Sequence, residues 1–470
     1  MNIQTLGRTV FSVGLLLFPL VFQGSVEAQT QIAQNREALE QASQTEVEEN
    51  LKEETAKRIE KSILPSYYSQ TDGVALQEIV KRAFAHNGEI KIAMLEVEMA
   101  RARLQQARLR QNPTLEIEQS SGRFVGSAGD GEFSFGLALP LDVYNQRQKR
   151  MDLAEANITL KEAEIATGKR ELTAQILVSY SGALAALQEL KVLEDLLELD
   201  TQTTRFVQIR VNEGETSPLE LSLLQTEVER LRARRSLVEG RLRSEISRLR
   251  FYAGIGYQEP LKLREDLAVA TLPNLPVTID TAFRVALSNR PEIRVAELEE
   301  ELATAGLRLI RSQSKPDVTA YTRYRQGRAG VDDPRGSFVE RDRSVTFGVA
   351  IGLPILNKNQ GAKAEAEIAI RLAQEKRIFA EQVIKNEVAT AFARIEATEE
   401  ALSRLETAVL PRSRKNVETI RSVYEIGELK ITDLINEQRR LLDANRDLTE
   451  VLNERYRANA DFFIALGINF

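Results

Sequence analysis

Apolar residues recur along this chain with a period that predicts long helices. The stretch from Asn145 to Asn212 contains no proline and is helical in pattern throughout, which at about 1.5 Å per residue gives a rod of roughly 100 Å. Its apolar residues recur every seven positions, at Ile176, Ala183, Leu190 and Leu197. Sustained heptads predict that this rod packs laterally against other helices, as in a coiled coil.

Three further runs have a helical pattern. One extends from Pro354 to about Tyr424 and contains Pro411, where we expect a bend or a break, because proline cannot donate a backbone hydrogen bond. The other two, Ser217 to Ala253 and Thr278 to Gln313, are about 36 residues each, or roughly 54 Å. Two such rods end to end match one long rod, so we predict a helical cylinder about 100 Å tall.

Four segments alternate between apolar and polar residues, which is the period of a strand. They lie at about 114–126, 132–141, 317–327 and 343–355. A half-buried sheet in a globular domain would show the same period, but this chain offers only rod-like helices to cover the apolar faces. The pattern therefore favours the strands of a transmembrane β-barrel, with apolar side chains outside and polar side chains towards the lumen.

Four strands are too few to close such a barrel. A closed sheet with a water-filled interior needs about a dozen strands or more, and open sheet edges are not tolerated in lipid. Two copies of the chain would supply eight strands, whose interior is filled by side chains. Three copies would supply twelve, so the strand count predicts a trimer.

The chain contains an internal duplication. A shift of 203 positions aligns residues 74–113 with residues 277–316 without a gap, and thirteen of the forty positions are identical. A shift of 213 positions then places Gly214 on Gly427 and Glu220 on Asp433. We predict two structural repeats, 74–276 and 277–470, each ordered helix, hairpin, long helix, helix.

Residues 1–28 have the pattern of a secretory signal peptide. A basic residue precedes a mostly apolar run from Val10 to Phe22, and Val26-Glu27-Ala28 resembles a cleavage site. An uncleaved membrane anchor is the weaker interpretation, because the run is too short for about 30 Å of hydrocarbon and contains Pro19. Residues 29–73 are acidic and rich in glutamine, and we predict that they form a periplasmic segment.

The composition argues against an enzyme and against a nucleic-acid-binding protein. The chain has no cysteine, no tryptophan, one histidine and four methionines, which excludes thiol catalysis, iron–sulfur clusters and histidine-rich metal centres. Its 63 basic and 69 acidic residues give a net charge of −6, whereas a nucleic-acid-binding surface is basic. His86 aligns with Asn289 and lies in a helical pattern, so we expect it on the surface. We expect no cofactor and no resident metal.

Several short segments, in their order and spacing, resemble a known family. They are Asn289-Arg290-Pro291-Glu292-Ile293, the strand from Phe347 to Ile355 with the following Asn357-Lys358-Asn359-Gln360-Gly361, and Tyr424-Glu425-Ile426-Gly427 with Thr432-Asp433-Leu434. Over residues 74–470 the chain is similar to the TolC-like outer-membrane factors, the exit ducts of tripartite efflux pumps and type I secretion systems.

This resemblance implies a mainly α fold with a small β part. Long antiparallel helices of three chains would form an α-helical barrel in the periplasm, continuous with a twelve-stranded transmembrane β-barrel in the cell outer membrane, four strands from each chain. The implied partners are two further copies of the chain, a periplasmic adaptor (membrane fusion) protein, an inner-membrane pump and outer-membrane lipid, with no nucleic acid. The implied function is passive conduction of substrates, whether drugs, metal ions or proteins.

The resemblance also points to four residues at the periplasmic end. In the family, glycines such as Gly214 and Gly427 meet the adaptor at the periplasmic tip, although a glycine that merely ends a helix would look the same. The family also carries an acidic residue near its closed tunnel mouth, so the resemblance makes Asp433 and Glu220 candidates for a pore constriction. A carboxylate that stabilises the start of its own helix is the equal alternative, and Asn436 stands where related ducts can place a second acid.

A periplasmic coiled-coil adaptor, or another structural protein of an export complex, is the alternative function. It would share the export signal and the heptads. An adaptor, however, should have one helical hairpin between glycine-rich β-domain halves, whereas this chain has two repeats that each contain a strand hairpin.

Overall fold

The computed structural model describes residues 62–121, 130–270, 272, 275–276, 278–334 and 336–468. The elements below belong to one compact unit that begins at Leu64. The predicted signal peptide and most of the predicted periplasmic segment 29–73 lie outside the described residues.

The described residues contain a short helix that precedes the first repeat and, within that repeat, four helices and two strands. The helices are α1 (Leu64–Tyr67), α2 (Leu76–His86), α3 (Gly88–Arg108), α4 (Gln146–Asn212) and α5 (Pro218–Ala253), and the strands are β1 (Thr114–Ser121) and β2 (Gly131–Leu141). The 67 residues of α4 form one uninterrupted helix, roughly 100 Å long as the pattern predicts. Ser217 caps α5, since its Oγ accepts a hydrogen bond from the N–H of Leu219.

The second repeat has the same order. Its helices are α6 (Ile279–Asn289), α7 (Pro291–Gln313), α8 (Gln360–Arg404), α9 (Leu410–Glu425) and α10 (Ile431–Ala465), and its strands are β3 (Asp317–Asp333) and β4 (Gly336–Gly352). A π-helical turn, Leu405–Val409, joins α8 to α9, and the N–H of Leu410 donates to the carbonyl five residues earlier. Pro411 follows at once and has no N–H to donate, so the α-helical bonding is interrupted where the sequence predicts it.

The predicted single helix from Thr278 to Gln313 is wrong, because the chain breaks at Arg290 between α6 and α7. Arg290 has extended backbone angles, with φ −69° and ψ 119°. The following Pro291 disfavours the helical conformation of the residue before it. Asn87, at the equivalent place in the first repeat, is extended too, and its Oδ1 caps α3 by accepting from the N–H groups of Glu89 and Ile90.

Both breaks are held against the end of a later helix. The amide Nδ2 of Asn87 donates to the carbonyl of Tyr252 in α5 at 3.1 Å, and Nη1 of Arg290 donates to the carbonyl of Ala465 in α10 at 3.2 Å. Shifts of 203 and 213 positions relate these two contacts. The duplication therefore includes the hydrogen bond that connects the helix break of each repeat to the last helix of that repeat. We call these two contacts the helix-break joints.

The four strands form one antiparallel sheet in the order β1-β2-β3-β4. The predicted bounds of the second hairpin are wrong: β3 continues past residue 327 to Asp333, and β4 starts at Gly336 rather than 343. The added residues are mostly polar or charged and show no apolar alternation, but their backbones pair in register. The strand also ends at Gly352, because Pro354 cannot donate to a ladder. Residues 122–126 of the first predicted strand lie outside the described residues.

The two faces of the sheet differ in character. The register places these side chains together on one face, which we call the apolar face: Leu115, Ile117, Phe133, Phe135, Leu137, Leu139, Leu141, Tyr324, Val345, Phe347, Val349 and Ile351. No helix of the described residues covers them, and Phe347 is 80% exposed. The opposite, polar face carries ion pairs between Arg323 and Glu116 at 2.9 Å and between Arg325 and Glu132 at 3.3 Å. Alternation of this kind fits a transmembrane barrel strand.

Most of the buried apolar residues lie along α4 and the helices packed on it. Within the part of the chain that the structure describes, α4 alone is long and apolar enough to cross a membrane. However, 61% of its most apolar stretch is buried inside the chain, as in the core helix of a globular domain.

Candidate functional site: the helical tip

The first tip turn ends α4 and reverses the chain into α5. Gly214 has φ +77°, a left-handed conformation that side chains with a β-carbon rarely adopt. Its N–H donates to the carbonyl of Val211 at 3.1 Å, and the N–H of Glu215 donates to the carbonyl of Arg210 at 2.9 Å. This is the Schellman ending of a helix, so local helix termination alone accounts for the glycine.

The second tip turn repeats the first. Gly427 has φ +83°, its N–H donates to the carbonyl of Tyr424 at 2.9 Å, and the N–H of Glu428 donates to that of Val423 at 3.1 Å. A β-carbon on Gly214 or Gly427 would meet no atom of the described residues within 4 Å. Packing within the chain therefore does not require glycine at these turns, and their outer surface is open.

A small apolar cluster fastens the two hairpins together just behind the turns. It consists of Val207 from α4, Leu224 from α5, Tyr424 from α9, and Ile431, Leu434 and Ile435 from α10. Four helices of the two repeats thus share one core at this end of the molecule.

Glu220, on α5, faces into this end of the bundle. Its carboxylate oxygen Oε2 accepts hydrogen bonds from the hydroxyl of Thr216 at 3.2 Å and from the hydroxyl of Tyr424 at 3.3 Å. Tyr424 is only 3% exposed, and burial, followed by the negative charge of Glu220, raises the pKa of its phenol to about 12. The hydroxyl therefore stays protonated, and it links α9 of the second repeat to α5 of the first.

Asp433, the counterpart of Glu220, has a different environment. Its side chain is exposed, and Oδ2 accepts a hydrogen bond from the N–H of Lys430 at the start of α10 at 3.2 Å. The position equivalent to Tyr424 in the first repeat is Val211, which has no hydroxyl to donate. The structure therefore separates two residues that the duplication relates: Glu220 bridges the repeats, and Asp433 caps its own helix.

A buried polar layer lies further along the helices, and the sequence pattern does not reveal it. Asp200 on α4 is 2% exposed and accepts a hydrogen bond from Nε2 of Gln438 on α10 at 2.7 Å. Burial raises the pKa of Asp200 to about 6, aided by the charge of Glu227 and opposed by the bond from Gln438. Oε1 of Gln438 has no partner among the described residues. A protonated Asp200 could donate to that oxygen.

Two further buried carboxylates in this layer are paired with arginine. Glu227 on α5 is 6% exposed and binds Arg439 of α10 through two contacts of 2.5 and 3.2 Å. Glu437 binds Arg440 at 3.0 Å and Asn416 at 3.1 Å. Of these three carboxylates, Asp200 alone has no cationic partner among the described residues, and a buried carboxylate of that kind tends to take up a proton.

The described residues contain no group of three or more His, Cys, Asp or Glu side chains that could hold a metal ion. Tyr424 is the functional candidate at the tip that sequence reasoning missed. Tyr424 belongs to the segment Tyr424-Glu425-Ile426-Gly427, one of those that carry the family resemblance. Its role, however, depends on a contact with Glu220, which is 204 positions away in the sequence.

Comparison with known proteins identifies the family to which these features correspond. The family model described as Outer membrane efflux protein matches residues 79–255 and 283–467. These two stretches cover most of the chain, and each falls within one of the sequence repeats.

Individual relatives agree with the family match. The chain is 23% identical over 407 residues to the cobalt-zinc-cadmium resistance protein CzcC of Cupriavidus metallidurans, covering 86% of this chain and 93% of CzcC. It is also 23% identical over 402 residues to the cation efflux system protein CusC of Escherichia coli, covering 83% and 86%. Both relatives are matched over most of their length.

Solved structures show the same fold. The MtrE outer membrane channel of Neisseria gonorrhoeae, in its open state, superimposes with a TM-score of 0.66 at 20% identity, covering 83% of this chain and 88% of MtrE. The predicted fold class, long helices with a small sheet of four strands per chain, is confirmed.

Proposed function

The chain belongs to the outer membrane efflux protein family, and from this premise we propose that it works as a homotrimer that receives substrate from a periplasmic adaptor and an inner-membrane pump. It is an outer-membrane efflux channel, with a β-barrel in the outer membrane and its helical tunnel in the periplasm. Members of this family are channels rather than enzymes. Membership of this family also argues against the alternative interpretation, that the chain is a periplasmic adaptor.

The main observation in support of the trimer is a sheet with an exposed apolar face and two open edges. The sheet ends at β1 and β4, whose outer edges have no partner strand among the described residues. Such edges are not tolerated in lipid. Three copies joined edge to edge, β4 of one against β1 of the next, would remove every open edge and leave the apolar faces outside.

Heat-modifiable migration tests this proposal. The protein extracted from outer membranes should run as a species of three chains without heating and as a single chain after boiling. A protein that fractionates with the soluble periplasm, or that runs as one chain under both conditions, would contradict the proposal.

At the tip, Gly214 and Gly427 are the proposed adaptor contacts. Support comes from the open space around both turns, which leaves room for another backbone to approach. The apolar cluster behind the two turns packs four helices together and so holds both turns in position.

Asp433 and Glu220 are proposed to act at the constriction in different ways. Asp433 is exposed, so three copies of it could present a ring of carboxylates to passing solute. Glu220 would work from inside the bundle, because its bond to Tyr424 keeps the hairpins of the two repeats together. A ring of carboxylates would favour cations over anions.

The proposed cargo is metal cations. This rests on the two relatives above, which are named for cation resistance and cation efflux. The chain has few soft metal ligands, with one histidine, four methionines and no cysteine. The choice among metal ions would therefore be made by the pump. Expressed in a host whose cation pump lacks its outer-membrane component, the chain should restore growth on toxic metal. Restored tolerance to organic compounds without restored metal tolerance would contradict this cargo.

A further inference from the structure

The hairpin end of the sheet carries three arginines on the apolar face. Arg328 lies on β3 four residues beyond Tyr324, and Arg343 and Arg341 lie on β4 two and four residues beyond Val345. Side chains separated by an even number of residues share a face of a strand. These arginines therefore form the first charged rows beyond the apolar side chains.

Two of the three arginines oppose each other directly. In the register of the sheet, Arg328 is the cross-strand partner of Arg341, and like charges in this relation destabilise an antiparallel pair. No carboxylate of the described residues forms an ion pair with Arg328, Arg341 or Arg343. Arg328 also lies across β2, because a β-carbon at Gly131 would come within 3.4 Å of its Nε.

Up to the row of Arg328 and Arg341, the strand carboxylates at this end lie on the other face. They are Glu116, Glu118, Glu132 and Asp342. Two of them pair with arginines of that same polar face, Arg323 and Arg325. Up to the row of Arg328 and Arg341, the apolar face therefore carries three positive charges and no negative charge.

The height of these arginines corresponds to a membrane surface. From Leu141 to Phe133 the apolar side chains of β2 cover about 27 Å along the strand. Once the strand is tilted, that length is comparable to the band of about 25 Å on transmembrane barrels. The helices leave from the opposite end of the strands, so the arginines lie at the outer leaflet.

We propose that Arg328, Arg341 and Arg343 bind the phosphate groups of the phosphorylated glycolipid in the outer leaflet of the outer membrane. This inference rests on the proposed function, since it requires the apolar face to lie against lipid. The planar guanidinium group matches phosphate through paired N–H donors. A phosphate held between Arg328 and Arg341 would also offset their mutual repulsion.

Lipid binding to the purified full-length trimer tests the proposal. Native mass spectrometry would compare a phosphorylated lipid A with the same lipid after its phosphates are removed. Each single change, Arg328→Gln, Arg341→Gln or Arg343→Gln, should weaken binding of the phosphorylated lipid about fivefold, and the triple change about a hundredfold. The matched control is the double change Arg323→Gln and Arg325→Gln, which removes charge from the polar face of β3 and should leave binding unchanged.

Three results would overturn the proposal. They are equal binding of the two lipids by the wild-type trimer, wild-type affinity in the triple variant, and displacement of the lipid by millimolar inorganic phosphate, which would indicate a site for free anions. Migration and conductance of the same preparations separate this inference from the proposed function. A wild-type protein without trimer or conductance contradicts the proposed function, whereas a conducting trimer without phosphate-dependent binding contradicts only the lipid site. If the triple variant does not assemble, the three single variants decide.

Discussion

Glu220 and Asp433 occupy equivalent positions in the two repeats, yet their carboxylates have different partners. The difference comes from one residue, because the phenol of Tyr424 donates to Glu220 while the equivalent Val211 cannot donate to Asp433. Sequence reasoning could place both acids near the tip from their spacing after the glycines. It could not separate their roles, since the partner of Glu220 comes from the other repeat.

Replacing Tyr424 with phenylalanine tests the bond between the hairpins. Tyr424→Phe leaves the half-buried Glu220 with one hydroxyl donor instead of two, which should cost about 1 kcal/mol of local stability. We expect faster protease cleavage near residues 213–217 and 426–430. The control is Tyr180→Phe, because the buried hydroxyl of Tyr180 has no hydrogen-bond partner among the described residues, so its removal should not destabilise the protein. Equal cleavage of both variants would contradict the role of Tyr424.

Asp200 predicts a pH dependence of stability. Its pKa in the folded chain is about 6 against an ordinary value of 3.8, so folding favours the protonated form. The stability that this protonation provides is complete below pH about 4 and is lost as the pH rises through about 6, a difference of about 3 kcal/mol.

The variant Asp200→Asn should remove this dependence. An asparagine amide can accept from Gln438 and can also donate to the unpartnered Oε1 of Gln438, as a protonated carboxyl would. We expect the variant to melt at a higher temperature than wild type at pH 8 and at a similar temperature at pH 4. A destabilised variant at pH 8 would show that the charged carboxylate is favourable in this layer.

At the scale of elements, the long helices and the strands could be predicted from the sequence, whereas the helix breaks and the outer part of the second hairpin were not. The long helix α4 and the four strands were predictable because their periods persist over many residues. Pro291 is a local signal for the break at Arg290, but the carbonyls of Tyr252 and Ala465 that hold the two breaks in place come from distant helices, which no local pattern reveals. The charged outer half of the β3–β4 hairpin was missed for a related reason, since cross-strand pairing rather than alternation forms it.

Ion pairs strengthen the second helix-break joint. Arg290 is 4% exposed and contacts Glu292 at 2.8 Å and Glu387 of α8 at 2.7 Å. Burial raises the pKa of Glu292, but the charges of Arg170 and Arg290 outweigh it and hold that pKa below its ordinary value. Removing one member of a buried, paired network is costly because it leaves the other charges uncompensated.

Two glycine substitutions in and after α5, one beside the first joint and one away from it, should have opposite effects on stability. Gly254 has φ +62°, and a β-carbon there would lie 2.8 Å from Cβ of His86. Gly254→Ala should therefore destabilise the protein by about 1–3 kcal/mol. Gly240, inside α5, has an ordinary helical conformation with open space around it, so Gly240→Ala should stabilise by up to about 1 kcal/mol. Thermal unfolding in detergent measures both, and a harmless Gly254→Ala would contradict the packing at this joint.

At the scale of the whole molecule, the composition agrees with a conduit. The chain has no cysteine and one histidine, and its buried carboxylates Asp200 and Glu227 bind side chains of a neighbouring helix. Two repeats supply two strand hairpins and two helical hairpins, so three chains would form a twelve-stranded ring above a ring of helices. Both parts need neighbouring copies to be complete.

Three copies of this chain should make one continuous channel. The most direct measurement is single-channel conductance of the unboiled, outer-membrane-extracted species in a planar bilayer. We expect discrete, long-lived conductance steps from that species and none after boiling to single chains. An unboiled species that inserts without conducting, or steps that persist in preparations containing only single chains, would contradict this account.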